Sequence, residues 1–168
     1  MGTSQSVLDL IAAARADAKA CEERIADIRD LADGQDGSGT QADDLRAATV
    51  ALELAAVDVF SLFEARMQHH FRRGPFSRKL KSLLLDAGQT DLADRFQHYY
   101  LAINVLKHGK GASYRELLKT PTALFGVKPS EEIADGDTGE GLVDVTVPGF
   151  FDGLTTTLVE AYHFLETK

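Results

Sequence analysis

The sequence predicts an all-α fold, an up-and-down helical bundle of four to five helices with a small two-stranded β-hairpin inserted before the last helix. Apolar residues recur at spacings of three and four along most of the chain, the periodicity of amphipathic helices. One stretch near the C-terminus instead alternates apolar and polar residues, as a half-buried strand does. At 168 residues, the chain has the length of one domain, which buries a core without disulfides or metal.

Two long helices are predicted first. The first has an apolar stripe over residues 7–32, and the hydroxyl of Ser4 or Ser6 is its predicted N-cap. A glycine-rich segment, 33–39, ends this helix. The second helix is predicted over about 41–71, and two long helices joined by a short loop form an antiparallel hairpin.

Proline and glycine delimit the next two predicted helices. Pro75 opens the third helix, because proline is tolerated in a first turn but not in a helix interior. This helix ends at about Ala87, and Gly88 closes it. Thr90 is the predicted N-cap of the fourth helix and Gly109 its C-cap.

An insertion is predicted over residues 120–149, which contain three of the four prolines. A short helix precedes it, with a capping box at 113–116. Within the insertion, residues 143–147 have the alternation of a strand and can pair with 124–127 as a hairpin. Helical periodicity then returns and continues to the end of the chain.

Composition is that of a globular protein, with 44% hydrophobic and 26% charged residues. No apolar run approaches the roughly 18 to 20 residues that span a bilayer, and the polar N-terminus lacks the pattern of a secretory signal. We therefore expect a cytoplasmic protein that does not enter membranes and uses no cofactor. The one cysteine, Cys21, falls on the apolar stripe of the first helix, as expected of a small buried side chain.

Charge is segregated along the chain. The net charge is -8, yet residues 65–119 contain eleven Lys and Arg against four acidic residues, which is +7 and leaves -15 for the remainder. Such a positive segment is typical of a surface for phosphates, nucleic acid or an acidic partner. The alternative is that it pairs with the chain's own acidic helices. The acidic run at 131–140 is predicted to be either a flexible loop or a cover over this basic centre.

The candidate site lies on the fourth predicted helix, where Tyr100, Asn104 and His108 are four residues apart. Residues at this spacing lie one above the other on a helix, and Lys107 and Lys110 are close to them in sequence. Each also has a structural explanation. His108 can be a helix-terminal cation favoured by the dipole, Asn104 a buried amide bonding across helices, and Tyr100 a packed ring with its hydroxyl in water.

The segment from Asn104 to His108 resembles the C-terminal end of the signature helix of the HEPN superfamily, and the resemblance extends from the second predicted helix through the fourth. These are small helical bundles, many of them metal-independent ribonucleases of toxin-antitoxin and phage-defence systems. Their motif is an arginine, often followed by asparagine, and then a histidine a few residues later. The motifs of two subunits meet at a dimer interface and act on RNA. The resemblance implies a homodimer with His108 and Asn104 at the catalytic position, to which we add Lys107 as a nearby cation.

This chain departs from the motif because Ile103 stands where the arginine belongs. RNA cleavage without metal needs a positive donor for the phosphorane besides an imidazole that moves a proton. Lys107 and Lys110 carry positive charge, but the ammonium group of lysine is a point charge. It lacks the planar guanidinium by which arginine donates two hydrogen bonds to one phosphate. We therefore predict that the nuclease chemistry is lost or altered and that the site binds RNA, a nucleotide or a protein partner. The predicted binding residues are Tyr100, Lys110, Arg72, Arg73 and Arg95.

Two other classes of function remain open. Glu160 and His163 have the Glu-x-x-His spacing that places two metal ligands on one helix face. A di-iron site needs two such motifs and two further glutamates, whereas one motif is present; the further candidate ligands are Glu64, His69, His70 and His98. The other alternative is a pure interaction protein, in which the first helical hairpin binds a second copy or a partner helix.

Overall fold

The architecture is that of a helical bundle in a computed structural model that describes residues 6–33, 39–128 and 142–167. The described elements, in chain order, are α1 (Val7–Asp33), α2 (Gly39–Met67), a one-turn 3-10 helix (Gln68–His70), α3 (Phe76–Asp86), α4 (Thr90–His108), α5 (Ala112–Lys119), β1 (Gly126–Val127), β2 (Val143–Asp144) and α6 (Phe150–Glu166). This confirms the predicted all-α bundle with a small hairpin before the last helix. The acidic run 131–140 and Ser4 lie outside the described residues.

Helix ends show which capping predictions were right. The backbone N–H of Asp9 donates to Ser6 Oγ at 3.1 Å, so Ser6 is the N-cap of α1. Gly109 has φ +73°, and its N–H donates to the carbonyl of Val105 at 2.8 Å, which confirms the C-cap of α4. The N-cap prediction for α4 was wrong, because Gln89 occupies the cap and Thr90 is already helical.

The predicted capping box of the short helix was also wrong. Gly111 is the N-cap of α5, and no side chain caps this end. The carbonyl of Gly111 already accepts a helical hydrogen bond from the N–H of Arg115 at 3.0 Å. Ser113 therefore lies inside the first turn, where its hydroxyl cannot serve as the cap.

Four helices, α1, α2, α4 and α6, form the body of the bundle. Polar contacts show the relative direction of α1 and α6. Arg15 on α1 pairs with Asp152 near the start of α6 at 2.9 Å. Arg29, later in α1, donates to Thr146, which precedes α6, at 3.1 Å. These two helices are therefore antiparallel. α1 and α2 form the predicted helical hairpin, and α3 and α5 both pack on α4.

The core contains two groups of aromatic rings. Phe60, Phe63, Phe76 and Phe96 are at most 4% exposed and join α2, α3 and α4. In the second group, the rings of Tyr99, Phe125 and Phe150 lie with their centroids 5.8 to 5.9 Å apart. The second group holds the segment before β1 and the start of α6 against α4.

The hairpin is shorter than predicted. β1 and β2 are antiparallel with Val127 opposite Val143, but β2 ends at Asp144 rather than at residue 147. Asp144 Oδ1 accepts hydrogen bonds from the Thr146 N–H at 2.9 Å and from its hydroxyl at 2.6 Å. This turn diverts the chain from the ladder toward α6.

No helix in the described part of the chain has both the length and the apolar character needed to cross a membrane. Cys21 is a free thiol, partly rather than fully buried, and it packs against the core from α1.

Candidate functional site

The three residues of the predicted polar ladder share one face of α4 but differ in exposure. Tyr100 is half-buried, and its ring packs near Phe60 with centroids 6.3 Å apart. Asn104 is half-buried, and His108, the last residue of the helix, is exposed together with Lys107. The open part of the ladder is therefore its C-terminal end.

A half-buried carboxylate connects this end of α4 with two other helices. Glu64, near the end of α2, accepts a hydrogen bond from Ser77 Oγ in the first turn of α3 at 3.3 Å. Burial raises the pKa of Glu64, while the cation of Lys107 and the Ser77 hydrogen bond each lower it by less. Lys107 is thus close enough to act on Glu64, so the end of α2, the start of α3 and the end of α4 meet here. The sequence predicted Glu64 as a metal ligand and missed this role.

Cations surround the connection between α2 and α3. Gly74 has φ +94° and turns the chain there, and the Lys79 side chain lies so close that a Cβ at Gly74 would be 2.9 Å from Lys79 Cε. We call the exposed cations of this region the cationic junction: Arg66, Arg72, Arg73, Arg78 and Lys79. Ser77 directly precedes Arg78 of the junction and contacts Glu64, and Glu64 lies near Lys107. The cationic junction therefore borders the C-terminal end of α4. Lys110 is exposed just beyond that end.

The acidic helices do not neutralise this surface in the described part of the chain. The ion pairs found there join Arg15 with Asp152 and Arg95 with Asp91 and Glu160. Two histidines also lie near carboxylates, His70 near Glu166 and His98 near Asp94. No residue of the cationic junction takes part in them. Among the described residues, self-neutralisation of the junction is therefore not observed.

Arg95, predicted as a binding residue, makes structural contacts between helices. Its Nε donates to Asp91 at 2.9 Å, and its Nη1 donates to Glu160 at 2.6 Å and to the buried hydroxyl of Thr157 at 3.2 Å. Burial lowers the pKa of Arg95, but hydrogen bonds and charge attraction from the two carboxylates outweigh it, so the pKa is raised. Two acids already balance this guanidinium, and it fastens α4 to α6.

The proposed metal ligands do not converge. No group of three or more His, Cys, Asp or Glu side chains within the described ranges is placed to hold a metal ion. Glu160 of the Glu-x-x-His motif is paired with Arg95. His98 faces the carbonyl oxygens of Asp94 and Thr120 at 2.9 and 3.3 Å through its two ring nitrogens.

Two clefts on described residues lie away from the ladder. One, of about 510 Å³, lies between α3 and α5 over the edge of α4, with Lys81, His98 and Glu116 in its wall. The other, of about 750 Å³, runs between α1 and α6. Tyr100, Asn104 and His108 line neither of them. The ladder therefore belongs to an open surface rather than to either of these pockets.

Glu64→Gln is expected to stabilise the protein at neutral pH by about 0.5 to 1 kcal/mol, a modest gain because water still screens the half-buried carboxylate. Since the folded-state pKa of Glu64 is raised, the folded protein holds this proton more tightly than the unfolded chain does. The ionised carboxylate therefore costs stability above the folded pKa, and the cost vanishes below the unfolded pKa. Urea denaturation at neutral pH and near pH 4, about the ordinary carboxyl pKa, measures the difference.

The matched control for this variant is Asp58→Asn, which neutralises an exposed carboxylate on the same helix. It is expected to change the free energy of unfolding by less than about 0.5 kcal/mol at either pH. A loss of stability in Glu64→Gln at neutral pH, or an equal gain at both pH values, would contradict the assignment of Glu64 as a carboxylate destabilised by burial.

Comparison with known proteins adds no family to this description: neither a protein-family model, nor a curated protein, nor a solved structure matches the chain. The resemblance to the HEPN superfamily therefore stays a prediction that rests on the segment from Asn104 to His108.

Proposed function

We propose that this protein is a non-catalytic, HEPN-like RNA-binding protein, in which the cationic junction, Lys107 and His108 bind the sugar-phosphate backbone. One observation carries the proposal: within the described residues, the five cations of the junction are exposed and form no ion pair with the acidic helices. A link to toxin-antitoxin or defence systems comes from the resemblance alone, and such a protein would act in the cytoplasm.

The chemistry of the junction suits a polyanion. Arginine offers a planar fork that binds phosphate oxygens in a bidentate manner, and four of the five junction cations have another cation as a direct neighbour in sequence. Unpaired cations on a surface bind RNA mainly by releasing its condensed counterions, a contribution that does not depend on sequence. We therefore expect affinity for single-stranded RNA with little sequence preference.

The absence of cleavage is proposed from the position that the family's arginine would occupy. Ile103 fills it, and this side chain is 1% exposed in the core. No guanidinium can therefore extend from this position to stabilise a phosphorane. The nearby cation of Lys107 has Glu64 as a neighbour, so part of its field is already offset.

We also propose that the protein is a homodimer, as the resemblance implies. Two copies of the cationic junction on one RNA strand would raise the affinity through effective concentration without any new type of contact. A pure interaction function remains the second candidate, and it predicts a dimer without affinity for RNA.

The RNA proposal is tested by anisotropy with a labelled single-stranded RNA of about 20 nucleotides between about 50 and 200 mM salt. The wild type is expected to bind with a steep salt dependence. In the triple variant Arg72→Gln, Arg73→Gln, Lys107→Gln, the affinity at the lower salt should fall by about 30-fold or more, and the slope of log K against log salt should shrink by about two.

The matched control removes three exposed cations outside the basic segment: Arg24→Gln, Arg29→Gln, Lys128→Gln. It is expected to retain most of the affinity.

Glu64→Gln should bind more tightly than the wild type, because it removes a negative charge beside Lys107. An affinity that does not change with salt concentration would overturn the proposal. So would an equal loss of affinity in the two triple variants. If the RNA is cut, and His108→Ala abolishes the cutting, the protein is an enzyme and the non-catalytic part is wrong.

A further inference from the structure

We infer that the outer face of α1 binds the α1 helix of a second copy of this chain in antiparallel orientation. The inference places the homodimer of the proposed function on α1 rather than at the α4 motif, where the resemblance would put it. It rests on the homodimer part of that proposal and does not require RNA binding. The two proposals can therefore fail separately. It stands on the shape of the cleft beside α1, on the order of the charges along this helix and on the state of Glu22.

The cleft of about 750 Å³ between α1 and α6 is an elongated groove. Its α1 wall extends from Leu8 to Ala26, and Val159 contributes from α6. Eighteen residues of helix separate the two ends of this wall, a length of about 27 Å. Between them the wall contains alanines, which are small enough to let a second helix approach closely. The groove therefore has the length and shape to accept a helix.

Charge along the groove changes sign near its middle. Along the α1 wall, Arg15 and Lys19 come before Glu22 and Glu23. Arg15 is already paired with Asp152 on the opposite wall, so Lys19 is the cation of the wall that faces a partner. A second α1 laid parallel in register would bring like charges together. Laid antiparallel, it brings Lys19 of each helix against Glu22 and Glu23 of the other, so a single surface is complementary to itself about a two-fold axis. This self-complementarity selects a second copy of the chain as the occupant.

The spacing of exposed residues gives the register. The outer seam alternates steps of four and three, the pattern of an antiparallel helix pair with knobs-into-holes packing: Ala12, Ala16, Lys19, Glu23, Ala26 and Asp30. With the two-fold axis level with residue 21, Lys19 meets Glu23 of the partner subunit, and Ala16 meets Ala26 of the partner subunit. By symmetry each of these contacts occurs twice.

The state of Glu22 supports the same orientation. Burial raises the pKa of this carboxyl group, and the nearby charge of Asp152 adds to the effect. Glu22 has lost part of its hydration and lies near the carboxylate of Asp152. A cation placed beside Glu22 would therefore stabilise its ionised form. The antiparallel pair brings Lys19 of the partner subunit to this end of the groove.

Sedimentation equilibrium up to about 300 µM, which covers weak complexes, tests the interface. The wild type is expected to dimerise. Lys19→Glu alone and Glu23→Lys alone each turn both symmetric contacts into repulsions, so each should raise the dimer Kd by about 30-fold. An equimolar mixture of these two variants should form a heterodimer with a Kd near that of the wild type, because both symmetric contacts then join one acidic and one basic side chain again.

The control is Arg24→Glu, which places the same charge change at an exposed position away from the seam of α1 and should leave the Kd unchanged. Circular dichroism of each variant establishes that it is folded. A wild type that stays monomeric throughout the range overturns the inference and leaves the groove to another partner. The inference is also overturned if Lys19→Glu and Glu23→Lys each leave the dimer Kd unchanged, or if the equimolar mixture of these two variants stays monomeric. The RNA assay with the Lys19→Glu monomer then shows independently whether the cationic junction binds.

Discussion

Replacing Phe96 with alanine is expected to lower the free energy of unfolding by about 3 to 5 kcal/mol. The ring of Phe96 is 0% exposed. Its centroid lies 5.5 Å from that of Phe60, 6.4 Å from that of Phe63 and 6.5 Å from that of Phe76. These partners belong to α2 and α3, so truncation opens a cavity at the point where three helices meet. A cavity of this kind loses both the transfer free energy and the packing of the surrounding rings.

Urea denaturation of Phe96→Ala measures this loss directly. Phe96→Leu leaves a smaller cavity and is expected to cost about half as much. The matched control is Leu85→Ala on α3, whose side chain is 46% exposed and should cost less than about 1 kcal/mol. If Phe96→Ala costs no more than this control, the aromatic cluster does not hold the three helices together as described.

Gly153→Ala is expected to lower the free energy of unfolding by about 2 kcal/mol, although alanine in a helix interior is normally more stable than glycine by about 1 kcal/mol. Gly153 lies in α6, and a Cβ there would collide with the hydroxyl oxygen of Tyr99. Tyr99 is 1% exposed, and the rings of Phe125 and Phe150 pack beside it. The hydroxyl therefore cannot move away without disturbing the second aromatic group.

A double-mutant cycle isolates this contact. Tyr99→Phe removes the hydroxyl, after which the nearest ring atom would be 3.4 Å from the new Cβ, a tight but tolerable contact. Gly153→Ala should then cost about 2 kcal/mol less in the Tyr99→Phe background than in the wild type. Gly111→Ala, at a position with open space around it, serves as the control. It replaces the N-cap glycine of α5 and should cost about 0.5 to 1 kcal/mol, the same amount in both backgrounds. Equal costs of Gly153→Ala in the two backgrounds would show that Tyr99 does not approach Gly153 as closely as described.

Helix boundaries show how far local sequence carries a prediction. α4 was predicted and found over nearly the same residues, and Gly109 closes it with a positive φ, because the periodicity of a helix and the conformational freedom of its terminal glycine are local properties. The caps at Thr90 and Ser113 were wrong for the opposite reason. Both segments contain several residues able to cap, and local sequence alone does not select one of them.

The candidate site divides in the same way. The sequence placed Tyr100, Asn104 and His108 on one stripe, since a spacing of four determines a helix face. It could not tell that Tyr100 packs on Phe60 whereas His108 is exposed. The place of Glu64 beside Lys107 is the clearest omission. The two residues are 43 positions apart in the chain, so no local pattern relates them.

By itself, the sequence determined the class of fold, the approximate position of each helix and the concentration of positive charge in residues 65–119, since periodicity, glycine, proline and composition act over a few neighbouring residues. Only the tertiary structure decided which of those charges are open to a ligand. Arg95 is balanced by Glu160 from α6, whereas the cations between α2 and α3 form no ion pair within the described residues. Attraction between charges depends on their distance in space, which is set by the packing of helices far apart in the chain.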